Sequence, residues 1–198
     1  MSTSIDFYFD FGSPTAYLAY RRLLQLRESY GLEINFQPML LGGVFKATEN
    51  ASPVTIPAKG KYMMQYDLPR FARRYSVPLA VNPFFPINTL PLMRGAVAAR
   101  RQGVFDAYVE AVYQAMWVDQ KNMGDQEVIA ATLRDAGLDA DALLTATQDP
   151  EVKAELVATT EEAVARGAFG APTMFIGVEM FFGQDRLDFV EEYLREAA

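Results

Sequence analysis

Hydrophobic and polar positions alternate at the start of the chain and then take up helical spacing. Residues 5–11 place apolar side chains at every odd position, which predicts a strand with one buried face. Residues 15–30 show the spacing of a helix that ends at Gly31, and residues 33–40 predict a second strand. A helix that crosses between two strands of one sheet makes them parallel, so the sequence opens with a right-handed β-α-β unit.

The middle of the chain is predicted to be mostly helical. Residues 41–60 are rich in Gly, Pro, Ser and Thr and predict a long loop, which in a compact domain is more often functional than idle. Residues 61–76 predict a helix, and helical spacing returns from Thr89 to about Gly167. Breaks within that last stretch fall at Gly103, at residues 122–124, at Gly137 and at Asp149-Pro150. The stretch should therefore fold as several helices with short connections.

The end of the chain returns to strand patterns. Residues 173–177 and 179–182 predict two strands joined by a turn at Gly177-Val178. Residues 185–196 predict a closing amphipathic helix.

The order of elements predicts an α/β fold. A β-α-β unit, a helical block and a β-β-α unit together describe a thioredoxin-like domain interrupted by a large all-helical insertion. Residues 1–60 and 168–198 would form the thioredoxin-like domain, and residues 61–167 would form the inserted helical domain.

Composition removes several kinds of chemistry. The 198 residues include no cysteine and no histidine, which excludes disulfides, Cys nucleophiles, Ser–His catalysis and the usual zinc sites. Any sulfur chemistry must therefore use a thiol supplied by a cofactor. The net charge of −7 gives no general attraction for nucleic acid or an anionic membrane, so neither is an expected partner. No apolar run suits a membrane span and no signal-peptide pattern is present, so we expect a cytoplasmic protein.

The first segment that carries chemistry is Gly12-Ser13-Pro14, at the predicted junction of the first strand and the first helix. Serine is a favoured N-cap and proline a favoured first helical residue, so Ser13 would have a structural role in any case. A helix N-terminus also stabilises an anion such as a thiolate. With no histidine or cysteine present, we interpret Ser13 as a hydrogen-bond donor to a bound sulfur and not as a nucleophile.

Two later segments would complete a site for a thiol-containing peptide. A proline before an apolar strand, as in Ala171-Pro172, is usually trans, whereas a cis form here would turn the backbone of Ala171 towards a peptide ligand. In Gly183-Gln184-Asp185, Asp185 either complements the dipole of the last helix or accepts a hydrogen bond from a ligand ammonium group. The predicted topology places both segments and Ser13 at one end of the sheet.

A resemblance to a known family rests on three segments: FYFDFGSPTAYLA, GAFGAPTMFIG and MFFGQDRLDFVE. They resemble the 2-hydroxychromene-2-carboxylate isomerases, which are relatives of the kappa-class glutathione transferases and more distant ones of the DsbA-type oxidoreductases. The resemblance spans nearly the whole chain. It implies a homodimer with a thioredoxin fold, an inserted helical domain, and glutathione bound between the two domains.

The resemblance also implies roles for particular residues. Ser13 would be the active-site serine, and Lys46 and Phe85 would contact the substrate, a small aromatic carboxylate. Solvated surface charge is an equally good interpretation of Lys46, Lys59 and Lys61. Aromatic side chains on the helix of Trp117 are better interpreted as core. The residues implied to bind glutathione are Asn50, Lys59, Ala171, Pro172, Phe182, Gly183, Gln184 and Asp185, with Gln184 replacing an Asn of the isomerases.

The reaction implied is the glutathione-dependent isomerisation of an aromatic pyruvate-type substrate, as in the conversion of 2-hydroxychromene-2-carboxylate to trans-o-hydroxybenzylidenepyruvate. Reversible thiolate addition would make a double bond rotatable without consuming glutathione. Two alternatives stay open. A kappa-like transferase would release a glutathione conjugate, and a non-catalytic thioredoxin-like module would bind peptides or partner proteins in the same groove. A DsbA-type redox activity is excluded because the chain has no cysteine.

Overall fold

A mixed sheet of four strands lies at the centre of the fold. The structure is a computed structural model that describes residues 3–197. The strands are β1 (Ser4–Phe9), β2 (Glu33–Pro38), β3 (Thr173–Ile176) and β4 (Glu179–Phe182), in the spatial order β2-β1-β3-β4. β1 and β2 are parallel, whereas β3 is antiparallel to both β1 and β4. The two ends of the sequence therefore build one sheet, as the predicted order of elements requires.

Ten α-helices within the described residues surround this sheet. They are α1 (Pro14–Tyr30), α2 (Leu41–Thr48), α3 (Pro57–Tyr62), α4 (Leu68–Tyr75), α5 (Leu90–Arg101), α6 (Phe105–Trp117), α7 (Gln126–Asp135), α8 (Ala140–Ala146), α9 (Pro150–Ala165) and α10 (Leu187–Ala197). The helical stretch predicted from Thr89 to Gly167 is confirmed as α5 to α9, with breaks at the predicted positions. Across residues 3–197 no helix is both long and apolar enough to cross a membrane.

Apolar side chains cover both faces of the central strand β1. On one face, Phe7 and Phe9 of β1 stack on each other and join a large buried cluster with residues of α1, α5 and α6. On the other face, Tyr8 packs edge to face on Phe175, and both contact a smaller cluster that includes Ala163 of α9. β1 is therefore buried on both sides, which holds the end of this strand in a fixed position.

The prediction of a long loop over residues 41–60 is wrong. Leu41–Thr48 forms α2, Pro53–Thr55 forms a 3₁₀ turn, and α3 begins at Pro57. α2 forms despite its two glycines because Val44 is buried in the cluster between the sheet and α9. Such packing outweighs the propensity cost of glycine, which is about 1 kcal/mol per residue.

Other boundaries differ from the predictions by smaller amounts. The strand predicted over residues 5–11 ends at Phe9, because the backbone turns at Asp10, whose carboxylate accepts a hydrogen bond from Gly12 N at 2.8 Å. The helix predicted over residues 61–76 is confirmed, but it starts within α3 and reaches α4 through a wider π-helical turn. The division into two domains stays a prediction. α2 and β2, from the first predicted domain, contact α9 from the second.

The crossing of α5 and α6 is tightly packed. Tyr108, Tyr113 and Trp117 of α6 are buried, which confirms their interpretation as core residues. The Tyr108 hydroxyl donates to Leu92 O at 2.9 Å, and an ideal Cβ at Gly95 of α5 would lie 2.0 Å from that hydroxyl. Position 95 therefore accepts only glycine, because a Cβ there would clash with Tyr108.

We expect Gly95→Ala to lower the free energy of unfolding by about 1–3 kcal/mol, because overpacking outweighs the gain in helix propensity. Urea denaturation measures the change. Gly42→Ala on α2 is the matched control, since a Cβ there would meet no atom within 4 Å, and its stability should be unchanged or slightly raised. Equal stability of Gly95→Ala and the unmodified protein would contradict the packing described.

Candidate active site

A cleft of about 260 Å³ lies where β1 ends, β3 begins and β4 ends, at one edge of the sheet. The amino end of α1, one side of α2 and the segment that follows α2 contribute its walls. The predicted site residues that line it are Ser13, Asn50, Phe85, Ala171, Phe182, Gly183, Gln184 and Asp185. Most of the predicted site residues, which are far apart in sequence, thus come together in space.

Three predicted site residues are not among those that line the cleft. Lys46 on α2 and Lys59 on α3 are exposed, and their roles in binding substrate and glutathione stay predictions. Pro172 is buried next to Ala171.

Two of the residues that do line the cleft are held by neighbours outside it. Asn50 donates through Nδ2 to Phe169 O at 2.8 Å. The Phe85 ring packs on Trp117, with ring centroids 5.5 Å apart. Both side chains therefore have a structural partner in addition to any role towards a ligand.

Ser13 caps α1, as predicted. Its Oγ accepts a hydrogen bond from Ala16 N at 3.0 Å, while its own backbone is extended. Pro14 follows at the first helical position and has no N–H, so the first free N–H group of the helix belongs to Thr15. Ser13 is 5% exposed and lines the cleft. The junction therefore places a hydroxyl group and the positive end of a helix dipole at the cleft wall.

Two hydroxyl groups share the carbonyl oxygen of Ala171. Ser13 Oγ donates to Ala171 O at 3.0 Å, and Thr15 Oγ1 donates to the same oxygen at 3.2 Å. The two hydroxyls are 2.8 Å apart, so either can donate its single proton to the other in place of Ala171 O. Because Thr15 can keep Ala171 O bonded, the Ser13 proton can turn to another acceptor without leaving a buried carbonyl unpaired. Thr15 was not among the residues predicted from the sequence.

A backbone hydrogen bond joins the segment before β3 to the segment after β4. The Ala171-Pro172 peptide bond is cis, the less frequent of the two states considered above. Pro172 O accepts a hydrogen bond from Gly183 N at 3.0 Å. Gly183 has φ 98° and ψ 152°, a backbone conformation that suits glycine. The backbone of Ala171 and the start of the last helical segment are therefore held side by side.

An acidic corner occupies the end of the cleft near α4. The buried Gln184 donates through Nε2 to Asp67 Oδ2 at 3.3 Å, and its backbone carbonyl accepts from the Tyr75 hydroxyl at 2.6 Å. Asp185 also lines the cleft and pairs with Arg186 at 2.7 Å. Burial raises the pKa of the Asp67 carboxyl above its usual value, and the negative charge of Asp185 raises it further. Two carboxylates at this corner favour a cationic group of a ligand.

Asp67 is a cleft residue that the sequence analysis missed. It lies in the π-helical turn between α3 and α4, inside a segment predicted only as a helix. Its sequence signal was a single acidic residue in a predicted helix, which is usually a solvated surface charge. Contact with Gln184, which is more than a hundred positions away, gives it a different environment.

The carboxylate of Asp10 lies beneath Ser13 and is fully buried. It accepts hydrogen bonds from Gly12 N at 2.8 Å and from Leu41 N at 2.9 Å, and the Thr89 hydroxyl donates to it as well. Burial raises the pKa of the Asp10 carboxyl, and these three donors oppose the rise. One side chain therefore joins the turn before α1 to the amino ends of α2 and α5.

Comparison with known proteins agrees with this architecture. Residues 4–195 match the family model of the DSBA-like thioredoxin domain. A 2-hydroxychromene-2-carboxylate isomerase from Sphingobium xenophagum is 38% identical over 98% of this chain and 99% of its own length. A kappa-class glutathione transferase from Caenorhabditis elegans is 30% identical over 97% of this chain and 92% of its own length. A solved structure of a 2-hydroxychromene-2-carboxylate isomerase superimposes with a TM-score of 0.86 at 32% identity, covering 98% of this chain and 95% of that one.

We expect Asp10→Asn to lower the free energy of unfolding by about 1–3 kcal/mol, because the amide would turn an NH₂ group towards Gly12 N or Leu41 N and leave that donor unpaired. Chemical denaturation at neutral pH measures the change. Asp135→Asn removes an exposed carboxylate that pairs only weakly with Lys121, at 3.8 Å, and should change stability by less than about 0.5 kcal/mol. A variant more stable than the unmodified protein would mean that the cost of burying the charge exceeds the value of its hydrogen bonds.

Proposed function

The chain belongs to the DSBA-like thioredoxin family and, within it, to the group of the 2-hydroxychromene-2-carboxylate isomerases, and we propose that it is a glutathione-dependent isomerase of an aromatic pyruvate-type substrate. The observation that carries the proposal is the Ser13 hydroxyl at the amino end of α1, beside the Ala171 backbone, in a chain without cysteine. A disulfide oxidoreductase would need a thiol of its own at this position.

The chemical groups of the cleft fit glutathione. The backbone of Ala171 lines the cleft just before β3, where an extended peptide could pair with it. Asp67 and Asp185 offer negative charge to the α-ammonium group of the γ-glutamyl end. Ser13 and the helix N-terminus offer hydrogen bonds and positive potential to the sulfur. The ammonium group, the peptide backbone and the sulfur of one small peptide would thus each meet a complementary protein group.

Ser13 would act by stabilising negative charge. Its hydroxyl proton can turn from Ala171 O to a thiolate while Thr15 keeps that carbonyl bonded. Among the described residues, Ser13 Oγ is hydrogen-bonded to Thr15, Ala171 O and Ala16 N and not to a carboxylate, and the nearby Asp10 carboxylate is buried and engaged by three other donors. Bound in this cleft, glutathione would supply a thiolate able to add reversibly to a conjugated double bond. Phe85 and Phe45 would give the aromatic substrate an apolar wall beside this position.

A kappa-like glutathione transferase is the second candidate, and the 30% identity to a kappa-class relative supports it. The same cleft would serve both reactions, because both begin with a stabilised thiolate. Incubation with glutathione and 2-hydroxychromene-2-carboxylate separates them. Recovery of all the glutathione with an isomerised product supports the isomerase, whereas a lasting adduct supports the transferase.

We also propose a homodimer and a cytoplasmic role in the degradation of aromatic compounds. The resemblance to the isomerases supports the homodimer and the role in aromatic degradation. Several large apolar side chains on β4 and α10 are exposed in the single chain, which is unusual for a surface that faces only water. They are Met180, Phe182, Phe189 and Tyr193. A second copy of the chain would cover this face.

We expect Ser13→Ala to lower glutathione-dependent turnover by about a hundredfold, the usual effect of removing a hydrogen bond to a developing or bound anion. Initial-rate kinetics with 2-hydroxychromene-2-carboxylate and a pH titration of thiolate absorbance measure the effect, and the pKa of bound glutathione should rise. Ser13→Thr, which keeps a hydroxyl, should retain more activity. Ser29→Ala on the far end of α1 removes an exposed hydroxyl and is the control. Full turnover by Ser13→Ala would refute the role assigned to Ser13.

We expect Asp67→Asn to weaken glutathione binding by about tenfold, because the α-ammonium group loses a charged partner. Isothermal titration calorimetry measures the affinity. A glutathione analogue without the α-amino group should bind the variant and the unmodified protein equally well. Since burial raises the pKa of Asp67, the unmodified protein should begin to lose affinity on acidification at a higher pH than an ordinary aspartate would dictate. An equal loss for both ligands would show that Asp67 does not contact the ammonium group.

A further inference from the structure

A second cavity of about 410 Å³ lies between α2, α5 and α9, on the other side of α2 from Ser13. Leu41 and Phe45 of α2 line the cleft at Ser13, whereas Gly43 and Ala47 line the second cavity. α2 therefore separates two cavities, and residues predicted as a loop form the wall between them. Nothing in the function proposed above makes use of this second cavity.

The walls of the second cavity are mostly apolar. Leu90 of α5 and Leu156, Val157 and Val164 of α9 line it. Val157 is 55% exposed at the rim, a large fraction for a β-branched hydrophobic side chain on a regular helix. The cavity closes where α2 approaches α9, since a Cβ at Gly43 would lie 3.1 Å from a Thr160 methyl group. An apolar ligand would be enclosed on three sides by helices.

Arg94 and Lys153 give this apolar cavity positive charge. Within the described part of the chain, the Nε–H of Arg94 is buried and has no hydrogen-bond partner. The neighbouring acids Glu151 and Glu155 of α9 are paired with Arg101, and Glu161 is the acidic residue that lines the cavity. A buried guanidinium N–H without an acceptor is costly, so an anion placed beside Arg94 would be stabilised.

We propose that this second cavity binds an apolar monocarboxylate. The carboxylate accepts hydrogen bonds from Arg94, with Lys153 adding positive charge, and the hydrocarbon part lies against Leu90, Leu156 and Val164. The chemistry follows from the lining: a hydrocarbon surface needs an apolar ligand body, and the guanidinium of Arg94, whose Nε–H has no partner, favours an anionic group. The site is independent of the cleft at Ser13, and its existence does not depend on the isomerase proposal.

The probe for the test is 1-naphthoate, with methyl 1-naphthoate as its uncharged counterpart. Amide chemical shifts in ¹H–¹⁵N spectra locate the binding site, and their titration gives the affinity. 1-Naphthoate should shift the amides of Gly43, Ala47 and Thr160, in the unmodified protein and in Ser13→Ala alike. The ester should bind about tenfold more weakly or worse, because it cannot form the charged hydrogen bond to Arg94.

Three variants make the test specific. Arg94→Gln should weaken 1-naphthoate binding by about tenfold or more, whereas Arg94→Lys should retain part of it. Ala165→Phe tests the cavity without changing Arg94. It places a ring in the cavity from an exposed position of α9 and should abolish binding, so the test holds even if Arg94→Gln disturbs the fold. Arg73→Gln, an exposed arginine of α4 outside both cavities, is the control for loss of one positive charge and should bind as the unmodified protein does.

Several results would overturn the proposal. One is unchanged affinity of Arg94→Gln or of Ala165→Phe. Another is a set of shifts confined to the cleft at Ser13, which would mean that the carboxylate binds only there. A third is the absence of saturable shifts at millimolar 1-naphthoate. Because none of these readouts needs glutathione or turnover, failure of this proposal is distinguishable from failure of the proposed isomerase activity.

Discussion

The buried carboxylate of Asp10 is the interaction on which the arrangement of the cleft depends. A charged group without water must be compensated by donors, and here the donors come from the turn before α1, from the start of α2 and from Thr89 before α5. None of these segments can move away without leaving either the carboxylate or a backbone N–H unpaired. One side chain outside the lining of the cleft therefore positions two of its walls, at the amino ends of α1 and α2, and joins them to α5.

Ser13 shows how one residue can serve structure and chemistry together. Its oxygen accepts from Ala16 N and so caps α1, while its proton serves Ala171 O and, in the proposed function, would turn to a bound sulfur. Thr15 lowers the free-energy cost of this exchange because its own hydroxyl donates to the same carbonyl. The chain has neither histidine nor cysteine, so in the proposed function the site stabilises a thiolate that the ligand brings. Stabilisation by oriented dipoles requires no proton transfer from the protein.

The charges that line the two cavities differ from each other and cannot be read from the net charge of the chain. The chain is acidic overall, and the cleft at Ser13 adds two carboxylates at one end while its other end has the positive pole of a helix. The second cavity, behind α2, instead combines apolar walls with Arg94 and Lys153. α2 thus stands between two environments of different polarity, and its short length and two glycines are compatible with close packing on both sides.

The sequence by itself determined the strands, most of the helices, the Ser13 cap and the three segments that meet in the cleft, because alternation, helical spacing and capping residues are local signals. Only the tertiary structure decided that residues 41–60 contain helices, because burial of Val44 against a distant helix outweighs local composition. It also decided the environments of Asp10 and Asp67, whose partners are remote in sequence. The resemblance implied that Lys46 and Lys59 contact substrate and glutathione; both are exposed outside the lining of the cleft, and their roles stay predictions. Burial and long-range hydrogen bonding set these environments, and no local sequence pattern encodes either of them.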